Sequence, residues 1–70
     1  MDWIESPESS NVARFGYDGQ TSVLSVEFKN GSIYNYFDVP EVIFDGMRHA
    51  PSKGQYLAQS IKGTYRYARA

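Results

Sequence analysis

The amino-acid sequence predicts an α+β domain: a three-stranded antiparallel β-meander followed by two short helices packed on one face. Three observations carry that expectation. Val23 to Phe28 alternates, with Leu24, Val26 and Phe28 against Ser25 and Glu27, which is the period of a half-buried strand. Asn30-Gly31 separates this run from a second β-prone run, Ser32 to Phe37, and both turn residues tolerate positive φ. Beyond Val39 the apolar spacing becomes helical, with Ile43, Met47 and Ala50 at i, i+4 and i+7.

Taken in order, residues 1–8 read as a polar lead-in anchored by Trp3 and Ile4. Residues 9–65 form the single domain, and residues 66–70 form a basic and aromatic tail. The first strand runs from Val12 to Tyr17, placing Ala13, Phe15 and Tyr17 on one face, and Asp18-Gly19 turns the chain into the second strand. The third strand follows Asn30-Gly31. A helix is expected over 41–49, with Pro40 in its first turn and Asp38 and Glu41 as a capping box. Gly46 weakens that helix by about 1 kcal/mol relative to Ala, and Pro51 ends it. Ser52 and Gln55 cap a second helix near 53–61, whose apolar stripe is Leu57 and Ile61 and whose end is Gly63.

The hairpin register decides which aromatic residues are exposed. A two-residue loop pairs Phe28 with Ile33 and Leu24 with Phe37, so Ile33 and Phe37 join the core while Tyr34 and Tyr36 face outward. A three-residue loop with Gly31 in a bulge exchanges the two faces. Exposing Ile and Phe forfeits burial of about 1.5–3 kcal/mol each, which favours the two-residue loop; burying Asn35 argues the other way. The two-residue loop is the expected one. Outward tyrosines two residues apart lie about 6.5–7 Å from each other along the strand, the spacing of a base-stacking platform. Packing against a helix, a tail or another subunit is the commoner use of such a pair, since aromatic strand residues pack more often than they stack on bases.

Composition narrows the function classes. Seventy residues make one small domain with no room for a separate cofactor domain. The chain has no Cys and one His, so disulfides and the common zinc sites are excluded, and no cofactor is expected. No apolar run approaches a membrane span, and the first residues lack a signal pattern, so a soluble cytoplasmic domain is expected. Charge is divided along the chain. Residues 1–45 hold all eight acids and two cations, a net −6; residues 46–70 hold five cations and no acid, a net +5, which together give the overall −1. Such a division favours a polyanion, or pairing with the acidic segment of the same or a second copy.

The candidate nucleic-acid contacts are Tyr34, Tyr36, Arg48, Ser52, Lys53, Lys62, Arg66 and Arg69. The tyrosines would stack bases. Ser52-Lys53-Gly54, at a helix start, offers N–H groups, a hydroxyl and an ammonium to one phosphate, or serves as an ordinary cap. Arg66 and Arg69 interleave with Tyr65 and Tyr67 in a tail that suits a nucleic-acid backbone or the acidic sheet. No catalytic motif appears. His49 lacks an acid neighbour in sequence, and Asp38, Glu41 and Asp45 would need an enclosed cleft to act as paired carboxylates.

The segments Phe15-Gly16-Tyr17-Asp18, Leu24 to Phe28, Gly31, Tyr34-Asn35-Tyr36, Val39-Pro40, Ala50 to Tyr56 and Ile61 to Tyr65 together resemble the KTSC domain. That family is named for its place at the C-terminus of some lysyl-tRNA synthetases and also occurs as small bacterial proteins. The resemblance covers about residues 9–65 and includes a central Tyr-x-Tyr and a Ser-x-Gly before the last helix. It implies the fold and a suggested RNA-binding role, and it identifies no reaction. Asn35 stands where a basic residue would have strengthened a phosphate contact. The expected function is therefore a small non-enzymatic domain binding RNA or single-stranded DNA. The alternative is a protein-interaction or self-association module, a homodimer included, with no nucleic-acid role.

Overall fold

The structure is a computed structural model that describes residues 2–70; the first residue of the expected lead-in lies outside them. The chain folds into an antiparallel sheet of five strands in simple meander order: β1 (Trp3–Glu5), β2 (Val12–Asp18), β3 (Val23–Phe28), β4 (Ile33–Tyr36) and β5 (Tyr67–Arg69). Between β4 and β5 come α1 (Glu41–His49) and α2 (Lys53–Tyr56), which runs directly into a π-helical turn, Leu57–Ile61. The α+β class and the two helices agree with the sequence. The strand count does not. The lead-in supplies β1 and the tail supplies β5, each pairing with a strand that the alternation had already marked. Three residues are too few to show a period, so neither edge strand announces itself.

The core lies between one sheet face and the helices. Val12, Phe15, Leu24, Val26 and Tyr36 from the sheet meet Val39, Met47, Leu57 and Ile61, all fully or almost fully buried. A bulge between Val12 and Arg14 lets Val12 and Phe15, three apart, both face inward, so the core residue is Val12 where alternation alone pointed to Ala13. Helix α1 is fixed by stacking of Tyr17 on Phe44, with ring centroids 4.8 Å apart, and by the Tyr17 hydroxyl donating to the Val39 carbonyl at 2.5 Å. Its N-cap is Pro40 with no side-chain bond. The expected capping box is absent because Asp38 adopts φ +58° and turns its carboxylate to Arg66. In the π-helical turn the Lys62 N–H donates to the Leu57 carbonyl at 2.8 Å, and both Leu57 and Ile61 reach the core.

The hairpin takes the three-residue register. Leu24 opposes Tyr36, Ser25 opposes Asn35, Val26 opposes Tyr34 and Glu27 opposes Ile33. Lys29, Asn30 and Gly31 form the loop, with Gly31 at φ +92° and its N–H donating to the Phe28 carbonyl at 2.9 Å. Tyr34 and Tyr36 therefore lie on the helix-facing side, which corrects the expectation that they point outward. Two terms set this outcome. Asn35, on the open face, accepts a 2.6 Å bond from the Ser25 hydroxyl and so avoids an unsatisfied burial. Ile33 and Phe37 lose less than feared, because both remain half-buried and Phe37 lies beyond the strand end with Arg66 over its ring.

Candidate functional site

The register brings three tyrosines together. Tyr34 and Tyr36 project from β4 on the same side, and β5 pairs Tyr67 with Tyr36 and Arg69 with Tyr34. The Tyr67 ring centroid lies 5.6 Å from that of Tyr34 and 5.7 Å from that of Tyr36, and Phe28 meets Tyr34 edge to face at 5.6 Å. These rings wall a cleft of about 580 Å³, completed by Asn30 and Ser32 from the hairpin and by Lys62 and Gly63 after the π-helical turn. Tyr36 is 2% exposed and forms the floor, Tyr34 is half-buried, and Tyr67 is 59% exposed at the rim. The Tyr67 and Tyr34 planes are tilted by 40°, so the two rings do not form parallel walls.

The electrostatics of the cleft are one-sided. Among the described residues no carboxylate lines it. Lys62 holds its ammonium 5.4 Å above the Phe28 ring, and Arg69 donates to the Ser32 hydroxyl at 3.1 Å. Three ion pairs form among the described residues: Arg14 with Glu27, Arg48 with Asp45, and Arg66 with Asp38. Lys62 and Arg69 belong to none of them. Burial pushes the Tyr36 phenol above its ordinary pKa, and the neighbouring Tyr34 and Tyr67 add to that rise. A phenol is protonated at neutral pH in any case, and this rise keeps Tyr36 so further into the alkaline range.

Of the eight residues proposed from sequence, Tyr34, Tyr36 and Lys62 line this cleft and Arg69 borders it through Ser32. Arg66 lies in an adjoining groove with Phe37 and Tyr65 that shares Gly63 and Tyr67 with the cleft. Its pair with Asp38 is fully at the surface, where such contacts contribute little. Arg48, Ser52 and Lys53 are not brought into the cleft. Arg48 is engaged by Asp45, and the Ser52 hydroxyl caps α2 by accepting from the Gln55 N–H at 3.2 Å. The Lys53 ammonium donates to the Arg48 and Ala50 carbonyls at 3.1 and 2.7 Å, tying the end of α1 to the start of α2. Gly54 lies against Asn11 so closely that a Cβ would fall 2.4 Å from the side-chain oxygen, which accounts for the glycine of the Ser-x-Gly. Tyr67 and Ser32 escaped the sequence reading. The Tyr65/Tyr67 alternation was visible, but its meaning depends on β5 pairing with β4.

The chain resembles known proteins over nearly its whole length. The KTSC domain profile matches residues 8–65. The lysine–tRNA ligase of Nostoc punctiforme is 41% identical over 61 residues, covering 87% of this chain but 11% of the ligase. The chain thus spans about a tenth of the length of these larger relatives. An uncharacterised protein of Stutzerimonas stutzeri is 36% identical over 63 residues, with 89% of each chain covered. The crystal structure of a KTSC domain protein from Yersinia pestis superimposes with a TM-score of 0.90 at 28% identity, over 99% of this chain and 96% of that one.

Proposed function

The chain belongs to the KTSC domain family, and from that premise we propose that it is a small, non-enzymatic domain that binds RNA or single-stranded DNA in the cytoplasm. The observation that carries the reading is Lys62, poised without a carboxylate partner at the mouth of a cleft made of three tyrosines. A base stacks on the exposed Tyr67 ring, with the Tyr34 and Tyr36 hydroxyls at its edge. Lys62 and Arg69 meet phosphate, and Arg66 extends the basic strip along the adjoining groove. Ligases that carry a similar segment are, by name, enzymes that act on a tRNA, which favours RNA over DNA. No His, Cys, Asp or Glu is among the described residues that line the cleft, which favours binding over hydrolysis or group transfer.

Fluorescence anisotropy with a labelled single-stranded 10-mer tests the proposal. Binding should weaken steeply between about 50 and 200 mM salt. Tyr67→Ala should weaken it by about 5- to 150-fold, the equivalent of ~1–3 kcal/mol for one stacked base. Lys62→Gln should weaken it as well, while Lys53→Gln leaves it unchanged. Equal affinity in wild type, Tyr67→Ala and Lys62→Gln would refute the cleft as the site. Absence of binding, with a dimer mass in solution, would shift the function to self-association.

A further inference from the structure

Resting on the nucleic-acid reading, we infer that the cleft is a one-nucleotide site that takes a nucleoside monophosphate unit: one aromatic base and one terminal phosphate. Size and charge both lead there. A volume of about 580 Å³ falls within the ~300–1,000 Å³ of small-ligand sites and accommodates a nucleotide without tracking a strand. Of the seven Lys and Arg side chains, five have a carboxylate or backbone-carbonyl partner, Arg66 only through a weak surface pair. Arg14, Arg48 and Arg66 are in ion pairs. Lys29 and Lys53 donate to backbone carbonyls. The remaining two, Lys62 and Arg69, both border this cleft. Two positive charges match a phosphate monoester of about −1.5 to −2, whereas an internal phosphodiester carries a single negative charge.

The polar groups of the hairpin complete the recognition. The Asn30 side-chain Oδ1 accepts from the Ser32 N–H at 3.0 Å, which leaves the side-chain NH2 of Asn30 as a donor. The Ser32 hydroxyl accepts from Arg69 and so has its own proton to donate. Lys62, Ser32 and Asn30 thus line the cleft and Arg69 reaches its edge through Ser32, with no acid among the described lining residues. The base then has Tyr67 as a stacking face and the Tyr36 phenol as a donor at the floor. The same chemistry exists in a free mononucleotide and in the 5′-phosphorylated end of a strand.

Calorimetric titration of the intact chain separates these sources. The probes are adenosine 5′-monophosphate, adenosine, and an RNA 10-mer with either a 5′-phosphate or a 5′-hydroxyl. Adenosine 5′-monophosphate should bind at least tenfold more tightly than adenosine, and the 5′-phosphorylated 10-mer at least tenfold more tightly than its 5′-hydroxyl form. The 10-mer's log–log salt slope should be about −1.4, from two contacts at about −0.7 each. Lys62→Gln and Arg69→Gln, both on exposed side chains, should each remove most of the phosphate preference while the amide spectrum stays dispersed. Comparable binding of both 10-mers, without mononucleotide binding, would overturn the one-nucleotide site and leave the strand-binding reading standing. Mononucleotide binding without 10-mer binding would support the site and refute strand binding. Failure of all four ligands would refute both.

Discussion

Replacing Gly46 by Ala sets two physical effects against each other, and the structure decides which one wins. Gly46 sits inside α1, where Ala is favoured by about 0.8–1.0 kcal/mol. On helix propensity alone the substitution stabilises. A Cβ at this position, however, would lie 2.2 Å from the Tyr56 hydroxyl oxygen, 2.8 Å from its Cζ and 3.1 Å from Cε2. The ring must retreat as a unit, because the contact is with its rigid end. Retreat breaks the 2.9 Å bond from the Tyr56 hydroxyl to the Ile43 carbonyl, a loss of about 0.5–1.5 kcal/mol. Overpacking adds about 1–3 kcal/mol. The net expectation is a destabilisation of about 2 kcal/mol, which in a domain this small lowers Tm by roughly 8–16 °C. Thermal and urea unfolding of Gly46→Ala, Tyr56→Leu and the double variant make the assay. With Leu at 56 the clash disappears, so Gly46→Ala should then raise stability by its ~1 kcal/mol of propensity, and the pair should couple strongly. A Gly46→Ala protein as stable as wild type, or additive effects in the double variant, would refute the packing argument.

Further predictions concern the turn, the cap, the floor and the last strand. Gly31→Ala, at φ +92° in open space, should lose about 1–2 kcal/mol in chemical denaturation through backbone strain alone, and Gly31→Asn should lose less. Ser52→Ala should cost about 1 kcal/mol by removing the α2 cap and leave oligonucleotide affinity unchanged, read by anisotropy on the same sample. Because the folded chain raises the Tyr36 pKa, it holds more protons than the unfolded chain above pH 10, so that increment of stability is complete below pH 10 and falls as pH rises further. Urea midpoints measured from pH 8 to 11.5 should show that fall, and it should shrink in Tyr36→Phe. Removal of residues 66–70 should abolish binding in the cleft, since Tyr67 and Arg69 both go, while circular dichroism retains the helices and four strands.

The parts of the fold that sequence revealed were those with a repeat long enough to show a period. Strand β3 carries three alternations, α1 carries a two-turn stripe, and both stand where the pattern placed them. Trp3–Glu5 and Tyr67–Arg69 could not be read this way. They become strands because β2 and β4 leave free edges beside them, a tertiary cause without a local signature. The capping box failed for a similar reason: Asp38 is drawn into the turn that precedes Pro40, and Arg66, 28 residues away, takes its carboxylate. At the site, the tyrosines and Lys62 were legible as residue types. Their assembly was not, since it depends on one glycine's φ in the hairpin and on a strand contributed by the tail. Ser52 and Lys53 were legible too, and the geometry gives them a structural task that the same sequence signal fits equally well.

The one-residue difference in hairpin register also explains why this domain has a cleft and not an open platform. In the two-residue register Tyr34 and Tyr36 would stand on the solvent face, free to stack successive bases of a strand. In the observed register that face carries the Ser25–Asn35 bond, the Arg14–Glu27 pair at 2.5 Å, and Arg14 lying 4.5 Å above the Trp3 ring. These groups satisfy one another beside the half-buried Trp3 and Ile33 of the same face. The tyrosines instead share their face with the helices, in a cleft lined by Lys62, Gly63 and Tyr67, the last two of which it shares with the adjoining groove. The Tyr-x-Tyr spacing alone is therefore compatible with strand binding, and it is the enclosed setting of the two rings that motivates the proposed one-nucleotide site.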